Sequence, residues 1–250
     1  MGNCCGSIKV EPQAQVILSR QSTSNSNSNN KNSNLTSFEF DFNEWIRLVN
    51  KLQANKSLKQ YAFSAQRSQF QNVNDLIRFL SNYKCETNFE KAWLIYVWIT
   101  ANINYNVDGF RTGDYGRNDA ESVLRTGCCV CEGYARLYMQ LCEGLGLECR
   151  KITGYAKGFG YRIGNKMIEM NHAWNALKIE NRWYFVEATW GSGQCTNDYK
   201  FKKIFNPMWF LTPSQVFMYD HYCEYFQLQK NKITLKEFEN LPLFGLDFHL

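Results

Sequence analysis

A cysteine stands where the sequence predicts a loop passing into a helix. Residues 127–135 read GCCVCEGYA, and a helical pattern begins at Glu132. Backbone N–H groups at a helix N-terminus carry partial positive charge, which favours the nucleophilic thiolate form of a cysteine. The same N–H groups can help to stabilise an oxyanion. We therefore predict that Cys131 is a nucleophile, and that Gly133 leaves room for a substrate or a neighbouring strand.

A thiolate nucleophile requires a base, and the chain has three histidines: His172, His221 and His249. His172 opens a predicted strand in the segment NHAWN, and Glu187 lies in the next predicted strand, in FVEATW. A short hairpin brings two such strands together, and a buried carboxylate requires a partner. We predict that Glu187 orients His172 as the third member of a nucleophile–base–acid set. His221 is interpreted as structural and His249 as solvated.

Helical periodicity and capping patterns predict the elements that carry these residues. Helices are expected over Asp41–Ala54, around Val73–Leu80, from the Thr87/Glu90 capping box to about Asn102, over Asp119–Thr126 and over Glu132–Leu145. The third of these has an expected buried stripe of Phe89, Ala92, Trp93, Tyr96 and Val97. Residues 106–118 are predicted as a loop, because they are rich in Gly, Asp and Asn.

The second half of the domain has a strand pattern. Cys149–Ala156 favours a strand, Gly158–Asn165 is a glycine-rich loop, and His172–Ile179 with Trp183–Ala188 forms a hairpin around Glu180-Asn181-Arg182. Two short helices follow, one after Ser214 and one opened by Thr234 and Glu237. Because helices come first and strands follow, the predicted class is α+β.

The N-terminal segment differs in composition from the rest. Residues 19–37 are a polar Ser/Asn-rich run that cannot bury enough apolar surface to order, so we interpret residues 1–37 as a disordered tail and linker, and residues 38–250 as the domain. Gly2 is a candidate for myristoylation, although Gly6 stands where Ser or Thr is usual. Cys4 and Cys5 are candidates for palmitoylation, since one acyl chain alone anchors weakly.

Charge and cysteine content exclude several classes of protein. The net charge is +5 with dispersed Lys and Arg, which gives no support to nucleic-acid binding. The ten cysteines occur without a secretory signal, so we predict reduced thiols and a cytoplasmic protein, anchored by the tail to a membrane surface. The apolar stretch Ala92–Ile103 is too short to span a bilayer and has helical amphipathicity. No cofactor is expected.

Taken together, the three chemical segments resemble the transglutaminase-like superfamily. Its pattern has a Cys in Gly-x-Cys-x-Gly-Tyr-Ala, a His in His-Ala-Trp-Asn and an acid before Ala-Thr-Trp. Within that superfamily the chain is most similar to the kyphoscoliosis-peptidase-like group, through residues 97–99, 103–105, 154–158, 210–211 and 227–228, and His221. The resemblance covers about residues 60–240.

The resemblance implies a papain-like/transglutaminase core in which a nucleophile helix packs on an antiparallel β-sheet. It implies Cys131 as nucleophile, His172 as base and Glu187 as third member, where the family usually has Asp. Trp98, Trp174 and Trp190 are expected to line the site, and Trp98 or another upstream side chain to contribute to an oxyanion hole. The implied reaction is acyl transfer from a protein or peptide amide through a thioester, with hydrolysis favoured over cross-linking.

Other interpretations of the same residues stay open at this point. Cys128, Cys131, Cys142 and Cys149 could be metal ligands, but no second Cys-x-x-Cys is present, and we predict no metal. Cys129 is an alternative nucleophile. The domain could also be a catalytically silent scaffold for protein–protein interaction at a membrane, or an adaptor whose lipidated tail is its main functional device.

Overall fold

The computed structural model of the chain describes residues 41–243. The predicted tail and linker over residues 1–37, with the lipidation candidates Gly2, Cys4 and Cys5, lie outside the described residues, as does His249. These interpretations stay predictions. Within residues 41–243, no helix combines the length and apolarity needed to cross a membrane.

Helices dominate the first half of the described chain. They are α1 (Phe42–Ala54), α2 (Lys56–Ser64), α3 (Val73–Ser81), α4 (Asn88–Asn102), α5 (Val107–Thr112), α6 (Ala120–Thr126), α7 (Cys131–Gly144), α8 (Ala188–Ser192), α9 (Ser214–Phe217) and α10 (Leu235–Asn240). Short 3-10 turns occupy Arg67–Gln69 and Pro207–Trp209.

Side-chain caps explain where the early helices begin. Asp41, Asn72 and Thr87 each accept a backbone N–H of the first turn, which satisfies a donor that the helix itself leaves unpaired. The predicted positions of α1, α3 and α4 are thereby confirmed. The capping box predicted at Thr87 is only half formed, because the Glu90 carboxylate accepts the Glu86 N–H at 2.7 Å instead of the Thr87 N–H.

Helix α4 is buried on all sides rather than along one stripe. Residues 92–100 are all buried, so the predicted amphipathicity is wrong. The reason is tertiary: α4 contacts α2, α7 and α8. A helix that is apolar all round is stable in water only in such a central position.

The strands form one central sheet and two small ribbons. They are β1 (Asn104–Tyr105), β2 (Cys128–Cys129), β3 (Glu148–Ala156), β4 (His172–Ile179), β5 (Arg182–Val186), β6 (Gly193–Cys195), β7 (Phe201–Lys203), β8 (Phe210–Thr212) and β9 (His221–Tyr222). The central sheet has the order β8-β5-β4-β3-β9, with every neighbouring pair antiparallel. β1 pairs with β2 in parallel, and β6 with β7 antiparallel.

The central hairpin ends earlier than the sequence predicts. Glu180 and Asn181 have positive φ angles of 51° and 63°, as a tight two-residue turn requires, and β5 then runs from Arg182. The predicted second strand extended to Ala188, but β5 stops at Val186 and Glu187 becomes the N-cap of α8. The strand prediction for Glu187 is therefore wrong, because its side chain binds the first turn of a helix.

The predicted loop over residues 106–118 also contains a helix. The Asn106 side chain accepts the Gly109 N–H at 2.9 Å and opens α5, and Gly113, with φ of +79°, ends it. Helix α2 was not predicted; Asn55 caps it through the Leu58 N–H. Both elements are short and depend on single capping contacts, so helical periodicity does not reveal them.

Helix α7, which begins at Cys131, packs across the central sheet, against β3 and β4. Asn175 of β4 donates its side-chain amide to the Ala135 carbonyl at 3.0 Å, which joins helix and strand in the buried interior. Gly133 allows β2 to approach α7, since a Cβ there would lie 2.7 Å from Cys129 Sγ and 2.8 Å from Val123 Cγ2. The predicted α+β class, with the helix that begins at Cys131 packed on an antiparallel sheet, is confirmed.

Candidate active site

Cys131 is the first residue of α7, as the sequence predicted. Gly127 ends α6 in a left-handed conformation with φ of +68°, which turns the chain into β2 and then into α7. The N-cap residue Val130 offers no side-chain acceptor, so no side chain caps the first turn of α7. The Tyr134 hydroxyl donates to the Ile103 carbonyl at 2.8 Å and fixes the helix against the end of α4.

His172 is placed by the start of β4. Its neighbour Asn171 acts as an extra rung of the sheet: the side-chain oxygen accepts the Ala156 N–H at 2.8 Å, and the side-chain amide donates to the Ala156 carbonyl at 3.1 Å. Gly154 pairs with His172 in the β3–β4 ladder. The imidazole consequently emerges from a stretch of backbone fixed on both sides of it.

Glu187 is placed by the end of β5 and the start of α8. Its backbone N–H donates to the Trp209 carbonyl at 2.9 Å, and its Oε1 accepts the N–H groups of Thr189 at 2.8 Å and Trp190 at 3.2 Å. The side chain is fully buried. One carboxylate oxygen is thus held by the helix N-terminus, and the other is directed at His172.

The structure brings the three predicted residues together. His172 Nε2 lies 2.7 Å from Glu187 Oε2, and the Cys131 thiol is close enough to the same imidazole to raise its pKa. Because Nε2 faces Glu187, Nδ1 is the ring nitrogen left for the thiol. Cys131 is half-buried and His172 has a side-chain exposure of 8%, so the acid lies deepest and the thiol is the more accessible end.

Electrostatics favour a charged imidazole between the thiol and the carboxylate. Burial opposes the charge, but the Glu187 carboxylate and Cys131 more than compensate, and together they raise the pKa of His172 to about 10. Burial likewise acts against an ionised Glu187, yet His172 and His221 hold the pKa of that carboxyl well below its usual range. An ion pair between Glu187 and His172 is therefore the expected state at neutral pH.

The family model of the transglutaminase-like superfamily matches residues 78–188, a segment that contains Cys131, His172 and Glu187. The chain carries a transglutaminase-like domain. It is 35% identical over 181 residues to kyphoscoliosis peptidase of Mus musculus, covering 71% of this chain and 27% of that protein. It is 33% identical over 204 residues to hillarin of Drosophila melanogaster, covering 75% and 24% respectively.

The chain spans about a quarter of the length of these curated relatives. Among solved structures, one described as a TGase is similar over 75% of this chain and 41% of its own, with 13% identity and a TM-score of 0.37.

Not all of the predicted lining residues reach the site of the transglutaminase-like domain. Trp190 tilts against the His172 ring with centroids 5.4 Å apart, and Trp174 lies 6.2 Å from it. Trp98 is fully buried elsewhere: its indole N–H donates to the Ala65 carbonyl at 3.1 Å, at the end of α2. Trp98 is not among the residues that line the cleft beside His172, and its single donor is already used in the core.

A cleft of about 520 Å³ opens beside His172. Aromatic rings make up much of its wall, and Lys157, Lys166 and Asp220 are its charged members. Lys157 donates to the Leu241 carbonyl at 2.8 Å, and Lys166 pairs with Glu239 at 2.7 Å. The aromatic lining residues are Tyr105, Phe110, Phe159, Tyr161, Trp190, Phe201 and Trp209.

Cys129, the alternative nucleophile, differs from Cys131 in its burial. Cys129 is buried beneath α7, and that burial raises the pKa of its thiol well above the ordinary value. A neutral buried thiol is a poor nucleophile. Cys142 and Cys149 contact each other in the interior, away from the site cleft.

His221, which the sequence predicts to be structural, lies beside Glu187 in the site. Its Nε2 lies 3.3 Å from Glu187 Oε2, and the donor atoms of His172, Glu187 and His221 all lie within 4.8 Å of one another. The 2.7 Å contact in this group is a charge-assisted hydrogen-bond distance, shorter than the roughly 3.3 Å between neighbouring ligands of tetrahedral zinc. We interpret the group as an ion pair with a neighbouring imidazole rather than as metal ligands.

Substitution of Glu187 tests the ion pair through stability. Glu187→Gln should lower the free energy of unfolding at pH 7 by about 3–5 kcal/mol, because it leaves a buried imidazolium without its counter-charge. A carboxylate whose folded pKa is depressed stabilises above its unfolded pKa, and that contribution is lost as the pH falls. The difference in the free energy of unfolding between Glu187→Gln and the wild type should therefore become smaller below about pH 4.5.

Chemical denaturation across this pH range gives the measurement, and Glu132→Gln is the matched control. Glu132 pairs with Arg136 and Lys151 beside Cys131, but its side chain is 29% exposed, so the expected cost is at most about 1 kcal/mol. An equal loss in the free energy of unfolding for Glu187→Gln and Glu132→Gln at pH 7 would contradict the buried ion pair.

Proposed function

We propose that this chain is a thiol-dependent acyl-transfer enzyme that acts on protein or peptide amides. Cys131 is the nucleophile, His172 the general base and acid, and Glu187 the residue that orients and charges the imidazole. The observation that carries the proposal is the contact chain from a fully buried carboxylate, through an imidazole at 2.7 Å, to a half-buried thiol.

The first step is attack of the Cys131 thiolate on an amide carbonyl carbon. The C–N bond breaks after a tetrahedral oxyanion has formed, and His172 supplies the proton that the leaving amine needs. A thioester remains on Cys131. Water, deprotonated by the now neutral His172, then attacks the thioester carbonyl and releases an acid and the free thiol.

The start of α7 supports the oxyanion in this proposal. Since no side chain caps the first turn of α7, we infer that the backbone N–H groups of Cys131 and Glu132 serve as the oxyanion donors. A preorganised N–H donor at such a position is typically worth about 3 kcal/mol in a transition state. In this proposal these N–H groups, and not Trp98, stabilise the oxyanion.

Hydrolysis is the favoured outcome of the thioester. The relative from Mus musculus is named a peptidase, which supports water as the acceptor in this domain. The aromatic wall of the cleft suits an extended peptide with apolar side chains on either side of the scissile amide. An amine acceptor would give a cross-link through the same thioester.

Alkylation by iodoacetamide, mapped by mass spectrometry, tests the activated thiol. Cys131 should react fastest of the half-buried cysteines, and should react below pH 7, where an isolated thiol is almost wholly protonated. Cys131→Ala should abolish the fast phase, and His172→Ala should slow it by about tenfold or more at pH 6. Cys128→Ala is the control and should leave the fast phase unchanged.

A Cys131 that reacts no faster than Cys128 or Cys195, and is indifferent to His172, would contradict the enzyme proposal. The scaffold interpretation would then replace it, with the fold retained for protein–protein interaction.

Acylation by p-nitrophenyl acetate tests the second half of the reaction. Acetyl-Cys131 should form and then decay by hydrolysis, and His172→Ala should slow the decay by about a hundredfold, the typical contribution of a positioned general base. Adding butylamine should leave the decay unchanged if water is the acceptor. Decay that accelerates with amine concentration and yields N-butylacetamide would contradict hydrolysis and support cross-linking.

A further inference from the structure

His221 occupies an aromatic cage behind the proposed catalytic residues. It lies in β9, paired with Ala156 of β3, and its side chain is fully buried. The imidazole stacks on Phe217, with centroids 4.1 Å apart and planes at 17°, and Trp190 tilts over it at 4.4 Å. The rings of Trp174 at 5.1 Å, His172 at 5.3 Å and Trp209 at 5.5 Å also lie around it.

Two charged groups of the site lie beside His221, the Glu187 carboxylate and the His172 imidazole, whose ring centroid is 5.3 Å away. His221 Nε2 lies 3.3 Å from Glu187 Oε2, the oxygen that also faces His172 Nε2 at 2.7 Å. The other oxygen, Oε1, is already held by the N–H groups of Thr189 and Trp190. The carboxylate is consequently enclosed by four nitrogen atoms, two of the backbone and two of imidazole rings.

The two histidines differ in charge. Burial in the cage lowers the pKa of His221 to about 4, although Glu187 acts in the opposite direction, while the pKa of His172 is raised. His221 is therefore neutral at pH 7 and has a single N–H. It can donate that N–H to the carboxylate without competing for the charge interaction that His172 requires.

We propose that His221 is a positioning residue, whose neutral imidazole donates Nε2–H to Glu187 Oε2 and holds that oxygen toward His172. This inference rests on the proposed function, since it concerns the same nucleophile and base. A ring that only filled the cage would need no nitrogen, and burying an imidazole among aromatic rings without a partner is unfavourable. Neither ring nitrogen of His221 has a hydrogen bond of good geometry within residues 41–243, and Glu187 Oε2, 3.3 Å from Nε2, is the acceptor that the proposed hydrogen bond would use.

The consequence for reactivity follows from geometry. The first turn of α8 binds only Oε1 of Glu187. The direction of Oε2 therefore depends on its imidazole neighbours, and rotation about the Cγ–Cδ bond would move Oε2 away from His172. The His221 N–H opposes that rotation on the side where water is excluded. Loss of the N–H should weaken the imidazolium of His172, and with it the thiolate of Cys131, while leaving the thiol itself in place.

His221→Phe and His221→Gln separate positioning from packing. His221→Phe fills the cage but removes the donor, and it should slow iodoacetamide labelling of Cys131 at pH 6 by about tenfold and move the acid limb of the pH–rate profile upward by about one pH unit. His221→Gln retains a donor and should stay within about threefold of wild type. A wild-type rate and profile in folded His221→Phe would overturn the proposal.

The tautomer of His221 in the wild-type protein gives a test that needs no variant to fold. Nitrogen-15 shifts of the imidazole at pH 7 should show a neutral ring protonated at Nε2. A ring protonated at Nδ1 alone would overturn the proposal. Failure of the proposed function has a different signature, since wild-type Cys131 would then be unreactive whichever tautomer His221 adopts.

Discussion

A carboxylate with no access to water is the constraint on which the rest of this site depends. Glu187 is fully buried, and an uncompensated charge in that position would cost several kcal/mol. Two backbone N–H groups hold one of its oxygens, and an imidazole at 2.7 Å faces the other. The protein can keep this charge only by keeping His172 charged as well, and that imidazole lies beside Cys131.

The fold supplies that arrangement from three separate places in the chain. The helix α7 presents the thiol at its first residue, β4 presents the imidazole at its first residue, and the acid caps α8 directly after β5. Each functional side chain therefore stands at the boundary of an element, where the backbone is fixed on one side. The central sheet and α7 pack through a buried interface, so the thiol and the imidazole share one rigid frame.

The sequence predicted the proximity of Cys131, His172 and Glu187 better than the elements that carry them. Cys131 and His172 stand at the predicted starts of a helix and a strand, because capping and periodicity are local properties that a sequence expresses directly. Glu187 was predicted next to His172 but in the wrong element, since the bond from its side chain to the Thr189 N–H competes with continuation of the strand. Local pattern alone does not decide between these two outcomes.

Features that depend on distant packing were not predictable in the same way. From the sequence, Trp98 and Trp190 are equally good candidates for lining a site. In the structure, Trp98 donates to the Ala65 carbonyl in the core, whereas Trp190 borders the cleft. His221 contacts Glu187 across 34 positions of sequence, and only the return of β9 to the sheet edge brings the two together. Such contacts are fixed by tertiary topology, on which a motif carries no information.

The charge of His172 in the resting protein is the most direct test of this account. Nitrogen-15 NMR of the imidazole near pH 7.5, assigned by comparison with His172→Gln, distinguishes a ring with two N–H groups from a neutral ring. The account predicts the charged ring, because the raised pKa keeps the imidazole protonated well above the ordinary value for histidine. A neutral His172 at that pH, with one nitrogen unprotonated, would contradict the ion pair and with it the proposed route to an activated thiol.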